Sequence, residues 1–231
     1  TENPLMMHVR SADGVTVTGD LYAPNGNGAP FIILCHMAGS SRGEYVSIAP
    51  RLNELGFNCL AVDQRSGAFS NGVENLTAKS AREKGKGRSY ADAYPDIEAA
   101  LLFVKRSFRP ETVILWGSSY SADIVLTLAA KRPGDISAVL AFSPGGYFRF
   151  EGIPLDEYAA GIEIPVFIAA SKSEASRSRP YFDAVRGACK TFFLPATGNG
   201  DHGSPALYES CRSAPEYWAA VETFLRPFTG Q

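Results

Sequence analysis

The sequence predicts an α/β domain: a mostly parallel central sheet with helices on both faces, preceded by an antiparallel hairpin at the amino terminus. Three observations carry this. Strand-like and helix-like segments alternate from end to end, the signature of repeated β-α units. Most strand segments are continuous apolar runs, such as Phe31-Ile32-Ile33-Leu34-Cys35, as required of strands buried on both faces. The first two β-rich segments instead flank a turn, Ala12-Asp13-Gly14, suited to a hairpin. A chain of 231 residues fits one such domain, spanning 1–231, with enough interior for a substantial core.

The elements follow in order. Leu5–Arg10 and Val15–Tyr22 form the hairpin, and Phe31–Cys35 the first buried strand. A helix over Tyr45–Leu55 is stopped by Gly56, and Asn58–Val62 is the next strand. Ser66 to Tyr94 is polar and without sustained period, so it reads as a long surface loop. Pro95 opens a helix carrying Asp96 and Glu98 in its first turn, which suits the helix dipole, with Ile97, Leu101 and Val104 facing inward. Val113–Leu115 and Ala122–Lys131 form a strand–helix pair, followed by strands at Ala138–Phe142, Val166–Ala170 and Thr191–Leu194. Ser213 and Glu216 are spaced as a capping box for a last helix whose Trp218, Val221 and Leu225 share a face. Repeats and low-complexity blocks are absent from the sequence.

Composition narrows the partners. The 22 basic and 24 acidic residues leave a formal net charge of -2, and no basic stripe or charge run suggests nucleic acid or an anionic membrane surface. No apolar run reaches the length of a membrane span. A small neutral molecule is the expected partner. Localisation is open, because a leader could have preceded Thr1. Of the four cysteines, Cys35 and Cys59 lie in apolar runs and read as buried thiols. Cys189 and Cys211 bracket the segment containing His202, and whether they are bridged is open. No Cys/His spacing matches a metal site, and no cofactor is implied.

The chemistry concentrates at Trp116-Gly117-Ser118-Ser119-Tyr120-Ser121, where an apolar strand breaks at a glycine and passes at once into a helix. Such a turn lifts a serine hydroxyl above the sheet, and the helix start behind it supplies N–H groups for a developing oxyanion. Ser119 is therefore the candidate nucleophile. The usual Gly-x-Ser-x-Gly pattern has Ser121 in place of its last glycine, and an ordinary strand-to-helix turn capped by Ser118 or Ser119 is the plainer reading of the same residues.

A serine nucleophile needs a base within reach. The chain has three histidines. His8 lies in the hairpin, and His36 ends a buried strand upstream of the serine, where it reads as a packed residue bracing its turn. His202 sits in the Gly-rich loop after the last strand, at the carboxyl edge where functional loops gather in a parallel sheet.

With these motifs placed, the chain resembles an α/β-hydrolase of compact, lidless form, similar to dienelactone-hydrolase-like esterases. His36-Met37-Ala38-Gly39 is similar to the family's His-Gly-x-Gly turn, and Asp63-Gln64-Arg65-Ser66-Gly67-Ala68-Phe69-Ser70 to its Asp-x-Arg-Gly-x-Gly-x-Ser turn, each with glycines replaced. The resemblance implies Ser119, an acid and His202 in that chain order. It implies an oxyanion hole from the backbone N–H groups of Ala38 and Tyr120. It also places the acid just after the strand at Val166–Ala170, where Glu174 follows Ser173; Asp156 and Glu151 stand as alternatives, and Asp201 is set aside as adjacent to His202. Met37, Tyr147 and Phe148 are candidates for the substrate pocket. The short link between the strands where lidded relatives insert a cap implies no large cap domain.

The expected activity is that of a serine esterase acting through an acyl-enzyme on a small-molecule ester. A peptidase or thioesterase on the same fold, and a low-turnover binding protein with that fold, are the alternatives.

Overall fold

In the computed structural model, residues 3–229 are described. By internal contacts the chain divides into two compact units, Thr1–Ile114 and Leu115–Gln231.

The amino-terminal unit begins with the expected hairpin, β1 (Leu5–Arg10) and β2 (Thr16–Tyr22), paired antiparallel so that His8 faces Thr18. β3 (Phe31–Cys35), α1 (Ile48–Glu54) and β4 (Asn58–Val62) follow, and every residue of β3 and β4 is buried. The strand order is β1-β2-β4-β3, with β3 and β4 parallel and β2 and β4 antiparallel. Fully apolar runs are thus found where a strand has neighbours and cover on all sides, while the exposed side of β1 alternates.

The polar stretch after Ser66 is more ordered than its composition suggests. It holds a two-residue-per-strand ribbon, β5 (Phe69–Ser70) with β6 (Val73–Glu74), and then α2 (Leu76–Glu83). Asn75 caps α2 by accepting the Ala78 N–H at 2.8 Å. The absence of a sustained hydrophobic period hid this helix, whose buried face is Thr77, Ala78, Ser80 and Ala81 rather than large apolar residues. α3 (Tyr94–Ser107) closes the unit and buries the predicted Ile97, Leu101 and Val104.

Two buried arginines tie this unit together. Arg42 pairs with Asp20 at 3.0 Å and Asp63 at 2.7 Å. Arg65 pairs with Asp13 at 2.6 Å and Asp96 at 2.8 Å. Buried cations of this kind persist only where carboxylates meet most of their donors.

The carboxyl-terminal unit takes up the chain at β7 (Val113–Ser118), whose first two residues belong to the preceding unit. α4 (Tyr120–Lys131), β8 (Ala138–Phe142), α5 (Leu155–Ala159), β9 (Val166–Ala169), α6 (Ala175–Ala184), β10 (Lys190–Phe193) and α7 (Ala214–Leu225) follow. The strand order is β7-β8-β9-β10, with β8, β9 and β10 parallel. Trp116 stacks on Phe142 with ring centroids 4.7 Å apart, joining β7 to β8 in the core. Only the short α5 stands between β8 and β9, so no large cap domain is inserted there.

The capping box expected at Ser213 does not form. The Ser213 hydroxyl instead donates to the Thr197 carbonyl, and Glu216 reaches back to accept the Ala196 and Thr197 N–H groups at 2.6 and 2.9 Å. Both side chains serve the loop that leads to His202 rather than the start of α7.

Candidate active site

The turn between β7 and α4 holds Ser119 at φ 61°, ψ −123°, a left-handed conformation that a serine adopts only under constraint. The constraint is visible. Ser119 N–H donates to the Phe142 carbonyl at 2.8 Å, and the Ser119 carbonyl accepts the Ala122 N–H at 2.8 Å. Close passage of strand and helix explains Gly117: a Cβ there would lie 2.3 Å from the Ser121 carbonyl oxygen. Ser121, in place of the customary glycine, is fully buried without disturbing this turn.

Neighbouring serines diverge sharply. Ser119 Oγ lies 2.8 Å from His202 Nε2. Ser118 Oγ points the other way and accepts the Ser204 N–H at 2.9 Å. Trp116 Nε1 donates to Ser204 Oγ at 2.9 Å, so two residues of β7 hold the segment that follows His202.

His202 Nδ1 bonds Glu174 Oε1, while Glu174 Oε2 accepts hydrogen bonds from Ser143 Oγ and Ser171 Oγ, both at 2.9 Å, and from the Ser171 N–H at 3.3 Å. Ser171 and Glu174 form a reciprocal capping box on the turn after β9, so the carboxylate closing that box also meets the imidazole. Burial raises the Glu174 pKa, but the hydrogen bond and charge of His202 outweigh it. With the serine hydroxyls, they hold the carboxyl at about 2. The other carboxylates considered for this place are elsewhere. Glu151 pairs with Lys131 on the surface at 2.7 Å, Asp156 is exposed on α5, and Asp201 accepts the backbone N–H of His202 at 2.7 Å.

Ser143 is a residue of this site that the sequence does not mark. It follows β8 at φ 56°, and its hydroxyl accepts the Gly203 N–H at 2.9 Å while donating to Glu174. Nothing in Phe142-Ser143-Pro144 marks it, because a serine at a strand end is ordinary. Asp123 is likewise unmarked. From within α4 its buried carboxylate accepts the N–H groups of Gly145 at 3.0 Å and Tyr147 at 2.7 Å. Burial raises its pKa to about 7, against the pull of those backbone donors.

Asp123 thereby fixes the loop that carries Tyr147. The Tyr147 hydroxyl donates to the Ser143 carbonyl at 3.1 Å and lies beside Ser119, whose hydrogen bond opposes the upward shift that burial gives the phenol. The Arg177 guanidinium sits over the Tyr147 ring, 5.5 Å from its centroid. Phe148 is half-buried on the same loop. Tyr120 opens α4, so its N–H stands at the positive end of the helix dipole, one residue after Ser119.

The remaining candidates belong to the amino-terminal unit. His36 is fully buried; its Nδ1 donates to the Met37 carbonyl at 2.7 Å, and its Nε2 accepts the Gln64 N–H at 2.9 Å. It braces the turn, as expected. Met37 and Ala38 are half-buried there, with the Met37 N–H held by Glu44 Oε1 at 3.1 Å. Gly67 packs so closely that a Cβ would lie 2.7 Å from the His36 ring. His8 bonds Thr18 at 3.0 Å within the hairpin. All four cysteines are free thiols, Cys189 and Cys211 included. Among the described residues, no group of three or more His, Cys, Asp or Glu side chains is arranged to hold a metal ion, and no helix is long and apolar enough to cross a membrane.

A strained serine between strand and helix, bonded to a histidine from the loop after the last strand, defines the α/β-hydrolase class. The chain belongs to the family described as serine aminopeptidase, S33, whose model matches residues 28–166. No curated protein matches the chain by sequence. Among solved structures it is similar to the Pyrococcus furiosus esterase Pf2001, with a TM-score of 0.73 at 18% identity over 97% of this chain and 92% of that one. It is similar to the dienelactone hydrolase of Anabaena variabilis, with a TM-score of 0.73 at 15% identity over 99% of this chain and all of the other. Est1E of Butyrivibrio proteoclasticus, solved with ferulic acid bound, gives 0.72 at 16% identity over 97% of this chain and 100% of that one. At such identities these likenesses speak to the fold, which is the compact α/β-hydrolase architecture.

Proposed function

We propose that the chain hydrolyses carboxylic esters of small molecules through an acyl-enzyme on Ser119. The observation that carries this reading is the 2.8 Å approach of His202 Nε2 to Ser119 Oγ, with Glu174 on the opposite ring nitrogen.

Ser119 Oγ attacks the ester carbonyl carbon as its proton passes to His202 Nε2. The carbonyl oxygen becomes an oxyanion, received by the Tyr120 N–H; such a donor contributes on the order of 3 kcal/mol. Glu174 keeps the imidazole in the tautomer that can accept this proton and stabilises the imidazolium that results. The imidazolium then protonates the departing alkoxide. Water, deprotonated by His202, attacks the acyl carbon; the carboxylic acid leaves as Ser119 recovers its proton. Tyr147 and Phe148 are assigned to the wall of the acyl or alcohol pocket.

The names of the similar structures, one an esterase and another a dienelactone hydrolase, agree with an ester substrate. The family's own description favours a second reading, cleavage of an amide at an amino-terminal residue. Fluorophosphonate labelling with peptide mapping tests the nucleophile: modification at Ser119 is expected, and an unlabelled, folded protein would sink both readings. Turnover of p-nitrophenyl esters against amino-acid p-nitroanilides then separates ester from amide.

A further inference from the structure

We infer that Ser143 is a positioning residue of this site, a hydroxyl that locks the acid and the base to one another. The inference rests on reading Ser119, His202 and Glu174 as a catalytic triad. Its observations are independent of that reading.

A serine hydroxyl has one proton to give. Ser143 Oγ receives the Gly203 N–H at 2.9 Å, and this contact leaves the hydroxyl proton to go to Glu174 Oε2, also at 2.9 Å. The direction of the chain is therefore set: Gly203 N–H to Ser143 O–H to carboxylate. Gly203 is the residue after His202, so the same oxygen grips both the backbone that carries the base and the side chain that orients it. The two carboxylate oxygens divide their work. Oε1 faces the imidazole, while Oε2 is taken by Ser143 and Ser171. With Oε2 anchored on both sides, the carboxylate cannot turn away from the His202 ring without breaking three hydrogen bonds.

The backbone supports this assignment. Ser143 holds φ 56°, a conformation that glycine adopts freely and other residues rarely do. Its N–H donates to the Ala169 carbonyl at 2.7 Å and its carbonyl accepts the Tyr147 hydroxyl at 3.1 Å, bonds that a glycine would keep. What a glycine would lack is the hydroxyl, the one feature of this side chain that reaches Glu174 and the His202 loop. Ser143 makes no contact with the reacting atoms that would make it catalytic in its own right; it acts through Glu174 and His202.

Ser143→Gly tests the assignment, because it relieves the left-handed backbone while removing the hydroxyl; Ser143→Ala removes the hydroxyl with the strain kept. The expected result with p-nitrophenyl butyrate is a fall in kcat on the order of tenfold to a hundredfold, with KM little changed. Melting temperature should fall less in Ser143→Gly than in Ser143→Ala, because relief of the left-handed backbone offsets part of the cost of stranding the buried Gly203 N–H. The downfield proton resonance of His202 Nδ1–H should broaden or vanish in both variants. Wild-type kcat and an unchanged resonance in folded Ser143→Gly would overturn the inference, and Ser143→Ala decides it should the glycine variant not fold. A wild type with neither esterase activity nor Ser119 labelling would overturn the proposed function instead, and the resonance would then judge Ser143 alone.

Discussion

Ser119 and His202 are 83 positions apart, yet Oγ and Nε2 meet at 2.8 Å, and neither residue is held there by the contact itself. The serine is placed by the β7–α4 turn and its bond to Phe142. The histidine is placed by bonds from Ser118, Trp116 and Ser143 to the two residues that follow it. Removing either functional side chain should therefore leave the other where it is.

Ser119→Ala is expected to abolish ester turnover while the protein stays folded. Ser118→Ala should retain most activity but lose about 1–3 kcal/mol of stability, because it strands the buried Ser204 N–H. Parallel kinetics and denaturant titration check the pair. A dead Ser118→Ala with an active Ser119→Ala would reverse the assignment.

Glu174→Gln should lower kcat by up to about four orders of magnitude, since an amide cannot support the imidazolium and can hold the wrong tautomer. Asp156→Asn, altering an exposed residue of α5, should leave kcat within a factor of about two. Comparable losses in both variants would refute the choice of acid.

Gly117→Ala is expected to destabilise the protein by about 1–3 kcal/mol or more and to suppress fluorophosphonate labelling, as its Cβ would press on the Ser121 carbonyl at 2.3 Å. Thermal unfolding with quantified labelling gives both numbers. Normal labelling in this variant would show that the elbow tolerates a side chain before the serines.

Acid stability should carry the mark of His36. Burial lowers its pKa from 6.5 to about 4, against the hydrogen bond to the Met37 carbonyl. Between those values the unfolded chain binds a proton that the folded chain does not. This contribution is complete above pH 6.5 and is lost as the pH falls towards 4, by roughly 3 kcal/mol. Asp123 works in the opposite sense. Its folded pKa is raised from 3.8 to about 7, so its contribution is present at low pH and lost as the pH rises through 7. The stability difference between wild type and His36→Gln isolates the histidine. It should shrink in the variant's favour from pH 7 to pH 4, and a difference independent of pH would count against a neutral, buried imidazole.

Thiol titration of the denatured, unreduced protein should find four thiols. In the folded protein the exposed Cys189 should react first and the half-buried Cys211 next. Cys35 and Cys59 should stay silent, since burial keeps them from reagent and raises their pKa. Two thiols after denaturation would indicate a bridge that the structure lacks.

Much of this architecture could be read from the chain because its strands are long apolar runs and its turns carry glycine. β3, β4 and β8 fall where the runs of apolar residues lie, and Ser119, His202 and Glu174 each sit on a loop that follows such a run. What escaped were features whose residues have local and distant uses that look alike. Glu174 is expected as the acid from its place after β9, but nothing in the residues around it marks Ser171 as the anchor of its carboxylate. Ser213 and Glu216 show the capping-box pattern and build no cap, because the loop before them supplies better donors and acceptors. Ser143 and Asp123 act wholly through tertiary contacts, and α2 buries small side chains that leave no period to detect.

The Arg65 network bears on how the amino-terminal unit folds. Its guanidinium binds Asp13, 52 positions back, and Asp96, 31 positions ahead. Neither partner can be delivered by local structure, so two sizeable loops must close before the cation can leave water without penalty. Burial of Arg65 is therefore a late, concerted event, joining hairpin, central strand and α3 in one step. The unit should refold slowly for its size, with no persistent species in which the hairpin alone is docked.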